Sequence, residues 1–168
     1  MVVVGLTAAG CKRKKSVRVK PAGTQSVVAM NDAAAAGQLK SGFYGVESGT
    51  WRWTARRFAV ELAPPANAPA KGARLHLTFT IPDAVIAKLG PMQLSASVGS
   101  PGSVGLMLDP EHYAAAGSYD YARDIDAGAF QRKGPVTVEF TCDKAIPPTG
   151  ADRRELALIA VSVGLEPR

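Results

Sequence analysis

The segment "RLHLTFTI" alternates without a break: Leu75, Leu77, Phe79 and Ile81 take one parity, and Arg74, His76, Thr78 and Thr80 the other. A period of two is the signature of a strand with one buried face. The pattern recurs. "MQLSASV" sets Met92, Leu94, Ala96 and Val98 against polar neighbours, and "VTVEFTC" sets Val136, Val138, Phe140 and Cys142 against Thr137, Glu139 and Thr141. "GFYGVE", "SVGLML" and "GSYDYARDI" add further short β-like runs between turn signals. The closing "ELALIAVSVGLE" is nearly continuously apolar, as expected of a central strand covered on both faces.

One segment has helical character. "IPDAVIAKLGP" places Pro82 and Asp83 at a helix start, Gly90-Pro91 at its stop, and Val85, Ile86 and Leu89 on one stripe. The expected fold is therefore all-β: an antiparallel β-sandwich, jelly-roll-like, of eight or nine short strands with one short crossover helix. No internal repeat is visible.

The stretch "GTWRWTARRFAVEL" holds both tryptophans beside three arginines. Trp51 and Trp53 share a parity that Phe58, Val60 and Leu62 do not. A two-residue turn at Ala55-Arg56 would make a hairpin with Trp51, Trp53, Phe58 and Val60 on its core face. Core packing is favoured over an exposed sugar-stacking platform, because Trp is highly buried on average. Arg52 and Arg57 would then stand on the opposite face. Together with Arg74 and His76 they form the candidate ligand face.

Charge excludes one function class. Of the 20 Lys and Arg, six (Lys12, Arg13, Lys14, Lys15, Arg18 and Lys20) stand together, and the other 14 balance the 14 Asp and Glu. A phosphate-tracking groove needs basic excess on the folded domain, so no nucleic-acid partner is expected for the body of the chain.

The first eleven residues, "MVVVGLTAAGC", run from apolar to small residues to cysteine. They resemble the end of a bacterial lipoprotein signal. The resemblance implies cleavage before Cys11 and lipidation of its thiol, with Ala8, Ala9 and Gly10 fitting the peptidase. Ala8 stands where leucine is usual, no basic segment precedes the apolar run, and ten residues are short for a signal. The expectation is a truncated signal, with the gene starting further upstream. Domains are then 1–10 residual signal peptide, 11–40 lipidated cysteine with a basic, flexible linker, and 41–168 the β-sandwich. Acyl chains would anchor the chain at about 0.8 kcal/mol per buried CH₂, and Lys12, Arg13, Lys14 and Lys15 would add attraction to an anionic leaflet. The expected location is the bacterial cell envelope, on its periplasmic or extracellular face. The alternative is cytoplasmic, since basic residues after an apolar run favour that side.

The chemistry-bearing residues are sparse. Cys142 reads as a buried free thiol, and no cysteine or histidine spacing suits a metal. His76 lies on a strand's polar face and His112 in the loop "LDPEHY". No nucleophile motif accompanies either, so a hydrolase is an unlikely alternative and no catalytic residue is assigned. Asp120, Asp124 and Asp126 lack the Gly and Glu of a calcium loop. Asp152, Arg153, Arg154 and Glu155 suggest a surface ion-pair group. No cofactor is expected.

The opening "GFYGVESGTWRWT" and the closing "DRRELALIAVSVGLE" together resemble β-sandwich modules found in bacterial envelope proteins beside glycosyltransferases and as small lipoproteins. That resemblance spans roughly Ser41 to Glu166. It implies a non-catalytic, carbohydrate-binding-like accessory module whose partner is a glycan or an envelope protein. The competing expectation is an assembly subunit that recognises protein only.

Overall fold

A computed structural model describes residues 23–100 and 105–168. These residues form nine strands: β1 (Val27–Ala29), β2 (Leu39–Glu47), β3 (Trp51–Leu62), β4 (Ala73–Ile81), β5 (Met92–Gly99), β6 (Leu106–Tyr113), β7 (Gly117–Ile125), β8 (Val136–Cys142) and β9 (Ile159–Pro167). Two short helices, α1 (Ala68–Lys71) and α2 (Asp83–Leu89), and 3-10 turns at Ala36–Gln38 and Ala127–Phe130 join them. Every pairing between strands is antiparallel. The fold is an all-β sandwich-like sheet that nearly closes on itself, in the order β6-β5-β8-β3-β9-β4-β7, with β2 on β3 and β1 on β9.

The alternating runs became strands whose apolar parity is the core. Leu75, Leu77, Phe79 and Ile81 on β4 face Leu94, Ala96, Val98, Val138 and Phe140 from β5 and β8 in one buried cluster. Phe58 stacks on Phe140 at 5.0 Å, and Phe43 meets Phe58 edge-on at 5.2 Å. The helix over Asp83–Leu89 stands where its signals placed it, with Gly90 at φ +71° ending it.

Four expectations need correction. The tryptophan stretch is a single twelve-residue strand, β3, not a hairpin. Its first half pairs with β9 (Arg52 with Ala160, Trp53 with Ile159) and its second half with β8 (Arg57 with Thr141 through Leu62 with Val136). The parity flip is thus the point where one strand passes from pairing with β9 to pairing with β8. Buried Thr54 pins the crossing, exchanging backbone hydrogen bonds with Ala157 and Leu158. The extra residues are absorbed as an irregularity against β2, where Phe43 pairs with Thr54 but Ser41 with Ala59.

Folded structure also begins well before Ser41. β1 adds to β9, Val28, Met30 and Ala35 are core, and Gln38 ties Gln25 to Glu61 through its side-chain amide. A low-aromatic segment gained order because β9 offered it an unpaired edge. His112 lies in a strand and not a loop: β6 is an edge strand, which tolerates Pro110 beside a register shift. β9 is central, but its outer face is not covered throughout, since Val161 and Glu166 are exposed.

Candidate functional site

Burial alternates strictly along β5 and β8, so their polar parities share the outer face of one sheet. The register sets Ser95 beside Thr141 and Thr141 beside Arg57 in one row. The next row is Met107, Ser97, Glu139 and Ala59. Small hydroxyl residues (Ser95, Ser97, Thr137 and Thr141) floor this face, which keeps it shallow and open. The Ser95 hydroxyl donates to the Thr141 carbonyl at 3.3 Å.

Arg57 and Glu139 rise from that floor, both exposed and without an ion-pair partner among the described residues. On the same face Glu61 is already held by Lys40 at 2.9 Å. Met107, 69% exposed, supplies an apolar wall from the edge strand. Beyond Arg57 the face runs into a depression of about 290 Å³ between Arg56, Arg57 and Glu155. The Arg56 backbone N–H holds the Glu155 carboxylate there at 2.9 Å. A planar guanidinium donating as a fork, a free carboxylate and a hydroxyl floor suit a ligand rich in neighbouring hydroxyl groups.

The structure separates the four residues of the candidate ligand face. Arg57 stands on the face just described. Arg52 is half-buried, its guanidinium donating to the carbonyls of Met30 and Tyr44 at 2.7 Å each, so it fastens β3 to its neighbours. Arg74 and His76 lie on the outer face of β4, between β9 and β7 and away from β5 and β8. Arg74 meets Asp124 at 3.6 Å. His76 Nδ1 lies 3.0 Å from Asp120, and its Nε2 3.5 Å from Glu166.

Only Nδ1 of these two ring nitrogens makes a hydrogen bond, to Asp120. His112 is exposed on the edge strand β6. The three aspartates considered for calcium all have side-chain partners: Asp120 meets His76, Asp124 meets Arg74 and Arg168, and Asp126 meets Arg168. No group of three or more His, Cys, Asp or Glu among the described residues is placed to share a metal ion. Cys142 is buried, and burial pushes its thiol up to about 12. Cys11 and the basic residues Lys12 to Lys20 lie outside the described residues. No described helix is long and apolar enough to cross a membrane.

Trp53 packs against the core and Trp51 meets it edge-on at 6.4 Å, both half-buried. Arg154 forms the centre of the expected surface ion-pair group, binding Asp152 at 2.8 Å and also Glu47, and lying over the ring of Tyr44. Arg153 stands apart, exposed. Sequence reasoning missed Ser95, Ser97, Glu139 and Thr141 as neighbours of Arg57. Their outward parity was readable in each strand, but the adjacency of β5, β8 and β3 was not.

Neither a protein-family model nor a curated protein matches the chain. Among solved structures, one described as "CBM4 structure and function" is similar at 11% identity over 84% of this chain and 85% of that chain, with a TM-score of 0.38.

Proposed function

We propose that this chain is a non-catalytic binding domain, tethered to a bacterial envelope membrane through Cys11, that takes a glycan on the outer face of β5, β8 and the second half of β3. The observation that carries the reading is the row Ser95–Thr141–Arg57 beside Ser97–Glu139. That row offers an unpaired guanidinium and an unpaired carboxylate over small hydroxyls, with Met107 to meet the apolar face of a sugar ring. The non-catalytic part is supported by the burial of Cys142. The tether is supported by the sequence "GLTAAGC" and the basic residues that follow it.

Two experiments test the reading. Metabolic labelling with a fatty-acid analogue should mark the wild type and not Cys11→Ser; equal labelling would remove the tether. A glycan array should give binding that Arg57→Ala weakens. An empty array together with a crosslinked protein partner would replace the glycan with a protein ligand.

A further inference from the structure

The antiparallel register fixes which loops share an end of the sandwich. Val27 lies beside Gly164, Leu62 beside Val136, Leu106 beside Val98, and Ala73 between Ile125 and Pro167. The chain therefore enters the described fold at the same end as α1, the start of β6 and the 126–134 connection. Helix α2, the 47–51 turn and the 143–158 segment lie at the other end.

Two hollows open at the entry end. One, of about 650 Å³, is lined by Val98, Leu106, Asp126, Ala129, Gln131 and Arg132 among others. The other, of about 340 Å³, lies across Arg132 and Lys133 from Pro64, Pro65 and Pro69. Leu106 is 52% exposed on the rim. Asp126, the carboxylate of this lining, is matched by Arg168 at 3.3 Å. Lys71, Arg132 and Lys133 are exposed and have no carboxylate partner among the described residues. The end thus carries unmatched positive charge around an exposed apolar side chain, although residues 21–168 are balanced in charge.

The chain that precedes this end adds Lys12, Arg13, Lys14, Lys15, Arg18 and Lys20. The 14 residue-to-residue steps from Cys11 to Gln25 reach at most about 50 Å. A basic surface with an apolar projection, at the point where a basic segment joins the domain, matches an anionic bilayer in charge and chemistry.

We propose that the entry end of the sandwich, through Lys71, Arg132, Lys133 and Leu106, docks on an anionic membrane surface. The domain then stands on its end, and the face of Ser95, Arg57 and Glu139 is presented sideways. The proposal rests on the membrane reading above, but it concerns the folded domain and not the acyl chain.

The test uses full-length Cys11→Ser protein and sedimentation with vesicles of phosphatidylglycerol and phosphatidylcholine. Two double reversals change net charge equally: Arg132→Glu with Lys133→Glu at the entry end, and Lys88→Glu with Arg153→Glu at the other. Circular dichroism first shows that both fold. The expected result is at least a tenfold loss of vesicle affinity for the first pair and less than a threefold loss for the second. Equal losses would assign binding to net charge or to the basic segment alone and overturn the proposal. Unchanged binding by the Arg132/Lys133 pair, or no binding by the parent protein, would also overturn it. Fatty-acid labelling is read separately, so a chain that is not acylated but shows the expected vesicle difference would keep the docking end and lose the tether.

Discussion

Gly42 lies so close to Arg57 that a Cβ at position 42 would stand 2.1 Å from the Arg57 carbonyl oxygen and 2.7 Å from the α-carbon of Phe58. Its φ of +73° also belongs to the left-handed region that favours glycine. This contact lets β2 follow β3 through its irregular crossing, and it seats the backbone that aims Arg57 outward and Phe58 inward. Gly42→Ala should therefore cost about 2–4 kcal/mol, read as a lower denaturant midpoint. Gly45, whose added Cβ would meet nothing, is the control: Gly45→Ala should shift the midpoint little.

Two buried tyrosines should respond oppositely to loss of the hydroxyl. Tyr121 donates to the Asp109 carbonyl at 2.8 Å, which fastens edge strand β6 to β7. Tyr113 Oη is buried with no hydrogen-bond partner among the described residues, and burial holds its phenol well above the usual range. Tyr121→Phe should lose about 1 kcal/mol, whereas Tyr113→Phe should be neutral or stabilising by up to about 1 kcal/mol. Thermal melts of the two variants side by side check this.

Hydrogen bonds from Arg154 hold the Asp152 carboxyl at about 2, below its usual 3.8. A depressed folded-state value makes the stabilisation complete above about pH 4 and removes it as pH falls through about 2. The melting temperature of wild type should therefore exceed that of Asp152→Asn by a constant gap above pH 5, and the two curves should converge towards pH 2. A gap that persists at pH 2 would assign the difference to packing.

Cys142 is 1% exposed, and its thiol is pushed up to about 12. In Cys11→Ser protein, a thiol reagent at pH 8 should therefore react negligibly in buffer and stoichiometrically in denaturant.

Much of the fold was legible because burial on one face imposes a period of two. β4, β5 and β8 lie where the alternation put them, and Pro82 and Gly90 bound α2. What escaped was set by distant partners. Val27–Ala29 is too short, at three residues, to be read as a strand alone and becomes one by pairing with Ser162–Gly164. The parity flip in "TWRWTARRF" is visible in the sequence, but a tight turn and a bulged strand that changes neighbours give the same flip. The pairing of Arg52 with Ala160 and of Arg57 with Thr141 decides between them. Of the candidate site, Arg57 was legible as an outward cation; its neighbours Glu139 and Ser95 come from strands far along the chain.

On the proposed function, the face of Ser95, Thr141, Arg57 and Glu139 holds a glycan. Titration calorimetry with a polysaccharide positive on the array measures this directly, comparing wild type, Arg57→Ala with Glu139→Gln, and Arg74→Ala with His76→Ala. The Arg57/Glu139 pair should lose at least tenfold in affinity, and the Arg74/His76 pair should bind as the wild type does. Unchanged binding by the Arg57/Glu139 pair, or a loss confined to the Arg74/His76 pair, would contradict the proposed function.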